Sequence, residues 1–202
     1  MNMPNSSWIS LFSNNDYSRY ISQGQIRVPN GFYHGPWKQI VELIRKYRVH
    51  YKQLVMFTGP VYDYDNDGLA DDLAKMYGFK ENSSQDNPLI NLPSPPPPTH
   101  IFVMLMRCRG PSKWHSSLRS CDNTERTATL SFVLPLVEKD INCLFPIEYL
   151  FRHTTRVRDI ELLTNLEWFT DSKRYSPETA LRLRTHINDQ LWQMETGKSH
   201  TT

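Results

Sequence analysis

The sequence predicts a mixed α+β domain in which helices pack against a central sheet. Three short apolar runs are typical of buried strands, and they cover residues 53–58, 101–106 and 130–134. Amphipathic helical patterns come before and after these runs, and the combination indicates the α+β class. The length of 202 residues is sufficient for one such domain with a hydrophobic core.

The N-terminal residues are polar, rich in Asn and Ser, and show no sustained period. We therefore predict an irregular segment over residues 1–28, a folded domain over residues 29–194 and a tail over residues 195–202.

The first helix is predicted to begin at Pro36, because proline suits the first turn of a helix. Its buried face follows the helical period. The residues of that face are Trp37, Ile40, Val41, Ile44 and Tyr47. The first strand follows at residues 53–58, and we expect Gly59 and Pro60 to end it.

The most informative stretch is the acidic loop, residues 63–71, which directly follows the first predicted strand. Carboxylates stand at every second position, and Gly68 permits the backbone reversal that wraps them around a cation. The predicted ligands are Asp63, Asp65, Asp67, Leu69 through its carbonyl oxygen, and Asp71. Calcium takes about 6–8 oxygen ligands, so water would complete the shell.

We interpret this loop as a structural calcium site. Ala74 stands where a full helix-loop-helix calcium loop needs a bidentate Glu, so the loop is shortened and unlike a calcium sensor. Magnesium is disfavoured because it retains several waters and avoids cages made wholly of protein. An acidic turn without an ion is the alternative, but its clustered carboxylates would repel one another.

Residues 78–100 are predicted to be a connector, after a short helical turn over residues 72–77. The connector includes the proline-rich run 93–98, which is expected to be an extended polyproline segment. We favour a stiff surface loop, and a ligand for aromatic-grooved domains is the alternative. The two later strands are almost continuously apolar, which predicts a sheet covered on both faces.

The last third of the chain has helical patterns over residues 146–153 and 155–163. A further helix is predicted to start at Ser176, because a capping Ser is followed by Pro and Glu. Its apolar face is expected to comprise Ala180, Leu183, Ile187 and Leu191.

Three cysteines are present, and in a secreted chain an odd count leaves one thiol for a partner elsewhere. A bridge between Cys108 and Cys121 would close a loop of about 14 residues and stabilise the fold by roughly 3 kcal/mol. Cys143 follows the last predicted strand. Asn5 and Asn82 begin Asn-x-Ser sequons and are candidates for glycosylation.

Composition excludes few partners. The net charge of +2, without a block of Lys and Arg, gives no indication of nucleic acid binding. No run of about 18 apolar residues predicts a membrane span, and the first residues lack the pattern of a signal peptide.

Four motifs occur in order, at residues 58–68, 98–102, 131–135 and 156–164. Together they resemble the C-terminal nuclease-like domain of the ectonucleotide pyrophosphatase/phosphodiesterase family, which includes autotaxin. The resemblance implies the fold of the DNA/RNA non-specific endonucleases, a sheet core with packed helices.

The resemblance also implies roles for individual residues. It places a structural calcium on Asp63, Asp65, Asp67, the Leu69 carbonyl and Asp71. It further implies a local disulfide between Cys108 and Cys121, and a bridge from Cys143 to a phosphodiesterase domain that this chain does not contain. The family is extracellular or cell-surface.

The same resemblance argues against catalysis by this chain. Active nucleases of this superfamily use an Asp-Arg-Gly-His motif, which is absent, and Ile26 stands near where a magnesium-holding Asn is expected. The family's zinc ions and nucleophilic Thr belong to the absent domain. The histidines are scattered at His34, His50, His100, His115, His153, His186 and His200.

Two functional hypotheses follow. The first is a non-catalytic, calcium-stabilised module that supports a phosphodiesterase domain acting on nucleotides or lysophospholipids. The alternative is an active metal-dependent endonuclease or phosphodiesterase that uses an unrecognised base such as His34.

Overall fold

The computed structural model describes residues 6–10, 25–51, 53–77, 96–116, 120–137, 145–188 and 190–193. The strands are β1 (Ser6–Ser10), β2 (Gln25–Pro29), β3 (Val55–Val61), β4 (His100–Cys108), β5 (Trp114–His115), β6 (Ser120–Cys121), β7 (Thr127–Pro135) and β8 (Thr154–Thr155). The helices are α1 (Asn30–Phe32), α2 (Lys38–Tyr51), α3 (Leu73–Tyr77), α4 (Pro146–Arg152), α5 (Val157–Thr164) and α6 (Pro177–Thr185).

A four-stranded antiparallel sheet, in the order β3-β4-β7-β8, forms the centre of the fold. The strands β1 and β2 form a separate antiparallel ladder, and so do β5 and β6. Helices and an antiparallel sheet together confirm the predicted α+β class.

Strand β4 is buried on both faces of the sheet, as its apolar run predicts. Ile101, Val103 and Leu105 belong to one core, where they pack with residues of α2 and α4. Phe102 and Met104 belong to a second core with residues of α5. Because fully burying such a side chain is worth about 1.5–3 kcal/mol, β4 and its partners account for much of the stability of the sheet.

The prediction that Gly59 and Pro60 end the first strand is wrong, because β3 runs through both residues to Val61. Proline is tolerated there because β3 is an edge strand and one side of its backbone needs no ladder partner. Glycine is required because Gly59 pairs with Phe102, whose Cε1 would lie 2.8 Å from a Cβ atom at position 59.

The first helical segment starts earlier than predicted. Helix α1 leads into a π-helical turn, Tyr33–Trp37, which continues into α2, so Pro36 lies inside the segment and not at its start. The π turn accommodates Pro36, which lacks the N–H that a regular helix would use. The predicted apolar face is confirmed, since Ile40 and Tyr47 are fully buried.

The prediction of irregular structure before residue 28 is also wrong in part, because β1 and most of β2 lie there. Ile26 and Val28 are buried in the first core, with Arg27 between them. Such alternation of apolar and polar residues is typical of a strand with one buried face. It covers too few residues of a polar segment to predict a strand from the sequence. The other domain boundaries remain predictions.

The C-terminal helices lie where their patterns predict them. The Ser176 hydroxyl caps α6 by accepting a hydrogen bond from the Thr179 N–H at 3.2 Å. The predicted apolar face does not extend as far as expected, because α6 ends at Thr185 and leaves Ile187 exposed. Leu191 still packs against the first core.

Side chains from α6 and the segment after it cover the free half of the β7 edge. Arg182 Nη1 donates to the Thr127 carbonyl at 3.3 Å, and Asn188 Nδ2 donates to the Thr129 carbonyl at 3.0 Å. These donors satisfy carbonyls that β8 is too short to reach.

Cys108 and Cys121 form a disulfide, as the resemblance implies. The remaining cysteine, Cys143, and the candidate glycosylation residues Asn5 and Asn82 lie outside the described residues. The first half of the proline-rich run, residues 93–95, lies outside them as well. None of the helices in the described part of the chain combines the length and apolar character that crossing a membrane requires.

A buried carboxylate joins α5 to the segment that follows it and to α6. The Glu161 side chain, only 2% exposed, accepts hydrogen bonds from the Trp168 N–H at 2.9 Å and from Arg158 Nη1 at 3.1 Å. It also accepts one from Arg184 Nε at 2.9 Å. Burial acts to raise the pKa of Glu161, but these donors, led by Arg184, hold it below its ordinary value.

We predict that Glu161→Ala lowers the free energy of unfolding by about 3 kcal/mol at neutral pH, because two arginines lose a buried acid. Because the pKa of Glu161 is lowered in the folded protein, its carboxylate stabilises the fold at pH values above its pKa in the unfolded chain, about 4.3. This stabilisation is lost as the pH falls through the pKa of Glu161 in the folded protein. Urea unfolding of both proteins between neutral and acidic pH checks this. Glu167→Ala, at an exposed position, is the control, and an equal effect of both substitutions would contradict the role of Glu161.

Candidate metal site

The acidic loop is held closed at its base by backbone hydrogen bonds. The Asp71 N–H donates to the Tyr62 carbonyl at 2.9 Å, which returns the end of the loop to its start. The Ala70 N–H donates to the Leu162 carbonyl at 2.8 Å, which ties the loop to α5. The loop is therefore attached both to the exit of β3 and to a helix of the second core.

Carboxylates inside the loop accept hydrogen bonds from its own backbone. Asp63 is buried and accepts from the Asp67 N–H at 3.1 Å and from the Gly68 N–H at 3.3 Å. The turn needs left-handed backbone at Asn66, with φ of 57°, and at Gly68, with φ of 81°. Asn and Gly adopt this conformation at low cost, so the sequence favours this turn.

Three of the predicted ligands come together. One carboxylate oxygen each from Asp63, Asp65 and Asp67 lies within 4.8 Å of the others. Oxygen ligands at the 2.3–2.6 Å distance typical of calcium lie at most about 5 Å apart, so these atoms can share one ion.

Asp71 contributes a buried carboxylate with one unsatisfied oxygen. Its side chain is fully buried, and Oδ2 accepts the Tyr64 N–H at 2.6 Å. Oδ1 is buried and has no hydrogen-bond partner. Because an unsatisfied buried carboxylate oxygen is costly, this atom favours the binding of a cation.

Lys75 also belongs to this site, although the sequence pattern does not predict it. Its Nζ lies 2.7 Å from an Asp65 oxygen, 3.3 Å from an Asp67 oxygen and 3.6 Å from Asp71 Oδ1. The hydrogen bond from Lys75 lowers the pKa of Asp65, and hydrogen bonds to Asp65 and Asp67 raise the pKa of Lys75. Asp71 precedes α3 and Lys75 lies on it, four residues later, and this spacing was the feature of the sequence that permits their contact.

Leu69 lies in the same turn, where its N–H donates to Asp67 Oδ1 at 2.8 Å. Its side chain is half-exposed, and its role as a carbonyl ligand remains a prediction. The donor set of the site is therefore made of oxygen atoms. It carries four carboxylates against one ammonium, and one carboxylate oxygen accepts no hydrogen bond. This chemistry fits a hard divalent cation such as calcium.

Two of the histidines, His34 and His100, lie in different surroundings. His100 begins β4, and its Nδ1 is 3.0 Å from Thr99 Oγ1, which also accepts the Asp63 N–H at 3.1 Å. Burial lowers the pKa of His100, so this side chain supports the base of the loop as a neutral group. His34 is exposed on the π-helical turn, where its ring packs edge-on against Tyr33 at 5.1 Å.

Comparison with known proteins places this chain beside a group of phosphodiesterases. It is 32% identical to venom phosphodiesterase from Naja atra over 153 residues, which are 72% of this chain and 17% of that protein. The chain is similar to a segment of these phosphodiesterases. The human ectonucleotide pyrophosphatase/phosphodiesterase family member 1 is 29% identical over 153 residues, 72% of this chain and 15% of the relative.

The bovine family member 3 is 30% identical over the same length of 153 residues. The chain spans less than a fifth of the length of these curated relatives. No family model matches the chain. These similarities support the relationship to ectonucleotide pyrophosphatase/phosphodiesterases that the four motifs indicate.

We predict that Asp65→Ala combined with Asp67→Ala abolishes stabilisation by calcium, since two of the clustered ligands are removed. Thermal unfolding with excess calcium and with EDTA is the measurement. The control is Glu167→Ala combined with Glu178→Ala, which removes two exposed acids outside the loop. Equal calcium-dependent shifts in melting temperature for the double variant and wild type would contradict the ligand assignment.

A second prediction concerns Lys75. Lys75→Met is expected to tighten calcium binding by about tenfold, because the ammonium no longer competes for the carboxylates. The calcium-free protein should become less stable, because the Lys75 ammonium no longer offsets the repulsion between the carboxylates. Calorimetric calcium titration checks this, with Lys46→Met as the control. Weaker or unchanged binding in the Lys75 variant would show that Lys75 does not compete with the ion.

Proposed function

We propose that this chain is a non-catalytic, calcium-stabilised, nuclease-like domain of an ectonucleotide pyrophosphatase/phosphodiesterase. Its role is to support a phosphodiesterase domain that hydrolyses nucleotide or lysophospholipid phosphodiesters. The observation that carries the proposal is the acidic loop, whose clustered carboxylates are anchored to the sheet and to α5. The chain matches less than a fifth of the length of each phosphodiesterase, which supports the proposal that it is one part of a larger protein.

The position of the loop supports a structural role for the metal. The ligand candidates belong to a turn whose backbone N–H groups are bonded to Asp63, Tyr62 and Leu162. Calcium bound there would offset the charge of the carboxylates. With its charge offset, the loop would hold the end of β3 against α5 through its backbone hydrogen bonds, and this would stabilise the edge of the second core.

Cysteine pairing supports a covalent attachment to another domain. Of the three cysteines in the sequence, Cys108 and Cys121 are bonded to each other, so Cys143 has no cysteine partner within this chain. We propose that Cys143 bridges to the phosphodiesterase domain. Disulfides persist in oxidising compartments, which supports an extracellular or cell-surface location and glycosylation at Asn5 and Asn82.

The test is hydrolysis of bis-nitrophenyl phosphate and of plasmid DNA by the purified chain, supplied with calcium, magnesium or zinc and with EDTA as the control. We predict no turnover in any metal, because catalysis requires the other domain. Metal-dependent cleavage that His34→Ala abolishes would overturn the proposal and favour the active endonuclease, whose candidate base is the exposed His34.

Support of the other domain is tested by expressing the chain together with a phosphodiesterase domain of one of its relatives. A disulfide-linked complex should appear on non-reducing electrophoresis and should disappear in Cys143→Ser. Retention of the complex in that variant, or its absence with the wild-type chain, would contradict the proposed bridge.

A further inference from the structure

The end of the sheet at which β4 stops and β7 starts carries exposed arginines. Arg109 follows β4, and its N–H donates to the carbonyl of Arg126 at 2.9 Å. The Arg126 guanidinium lies across Gly110, since Nη1 would be 2.5 Å from a Cβ at that position. Gly110 also has φ of 62°, so the close approach depends on glycine.

A third arginine reaches this end of the sheet from α6. The Arg182 guanidinium donates to the carbonyl of Glu125 at 2.9 Å and to the carbonyl of Thr127 at 3.3 Å. These carbonyls flank Arg126 in the chain. Arg109, Arg126 and Arg182, here named the arginine cluster, therefore come together from the end of β4, the turn before β7 and α6.

The charges in the arginine cluster are close enough to affect one another. Burial lowers the pKa of Arg182, and the charge of Arg109 lowers it further. Such repulsion between like charges makes the cluster less stable unless anions offset it.

Few acids offset the cluster. Within the described residues, the side chains of Arg109 and Arg126 form no salt bridge and no hydrogen bond. Glu125 faces Arg182, and the carboxylate of the neighbouring Asp122 is occupied by the Ser112 hydroxyl and the Lys113 N–H. Elsewhere, arginines are held by acids, namely Arg45, Arg152, Arg156, Arg158, Arg174 and Arg184.

We propose that the arginine cluster binds a tetrahedral oxyanion, that is, a phosphate or sulfate group carried by a partner molecule. Guanidinium groups present planar pairs of N–H donors that match the oxygens of such groups. Arg182 is held in place by backbone carbonyls, whereas the exposed side chains of Arg109 and Arg126 have their donors free for the ligand. This site is separate from the acidic loop and does not require calcium.

The test is calorimetric titration of the full chain, in EDTA, with inorganic phosphate, inorganic sulfate and dextran sulfate at low and physiological ionic strength. Arg109→Gln combined with Arg126→Gln removes two charges without breaking a hydrogen bond of the fold. Lys38→Gln combined with Arg48→Gln is the matched control, since it removes two exposed charges from α2. Melting temperatures of all three proteins check that each is folded.

We expect the Arg109 and Arg126 variant to bind about tenfold more weakly, and the control to bind as wild type does. Affinity should fall as salt is added. Saturable binding of the inorganic ions indicates a ligand with one oxyanion, and binding of dextran sulfate alone indicates a polymer carrying many. No binding of any probe, or equal losses in both variants, would overturn the proposal.

Discussion

Repulsion among the carboxylates of the acidic loop is the main physical constraint on this part of the protein. The loop from residue 63 to residue 71 turns back on itself through left-handed backbone at Asn66 and Gly68, and this turn brings Asp63, Asp65 and Asp67 together. Their charge is offset in part by Lys75, and the buried Oδ1 of Asp71, which lies 3.6 Å from the Lys75 ammonium, accepts no hydrogen bond. A divalent cation offsets more of the negative charge than a single ammonium does, and it can coordinate several carboxylate oxygens at once.

The rest of the fold places this loop and determines what it stabilises. Strand β4 separates two cores, and the second core contains both β3 residues and α5. The loop joins β3 to the Leu162 carbonyl on α5, so a bound ion acts on the edge of this core. Glu161 joins α5 to α6 through its hydrogen bond with Arg184.

The sequence predicts those features that depend on local patterns. Continuous apolar runs indicate β4 and β7, alternating carboxylates indicate the ligand candidates, and Ser176 with its following proline indicates α6. Features that depend on three-dimensional neighbours could not be predicted. Pro60 is acceptable in β3 only because β3 is an edge strand, and Arg109 and Arg126 adjoin only after β4 and β7 pair. The spacing between Asp71 and Lys75 permits their contact but does not give the direction of the Lys75 side chain, so its contacts with Asp65 and Asp67 depend on the folded loop.

Amide hydrogen exchange with calcium and with EDTA shows whether a cation fastens the acidic loop to the sheet and to α5. We predict that calcium slows exchange at the N–H groups of Asp67, Gly68, Ala70 and Asp71, which bond within the loop or to its anchors. Exchange in β4 should change far less. Unchanged exchange of the loop amides in saturating calcium would contradict the claim.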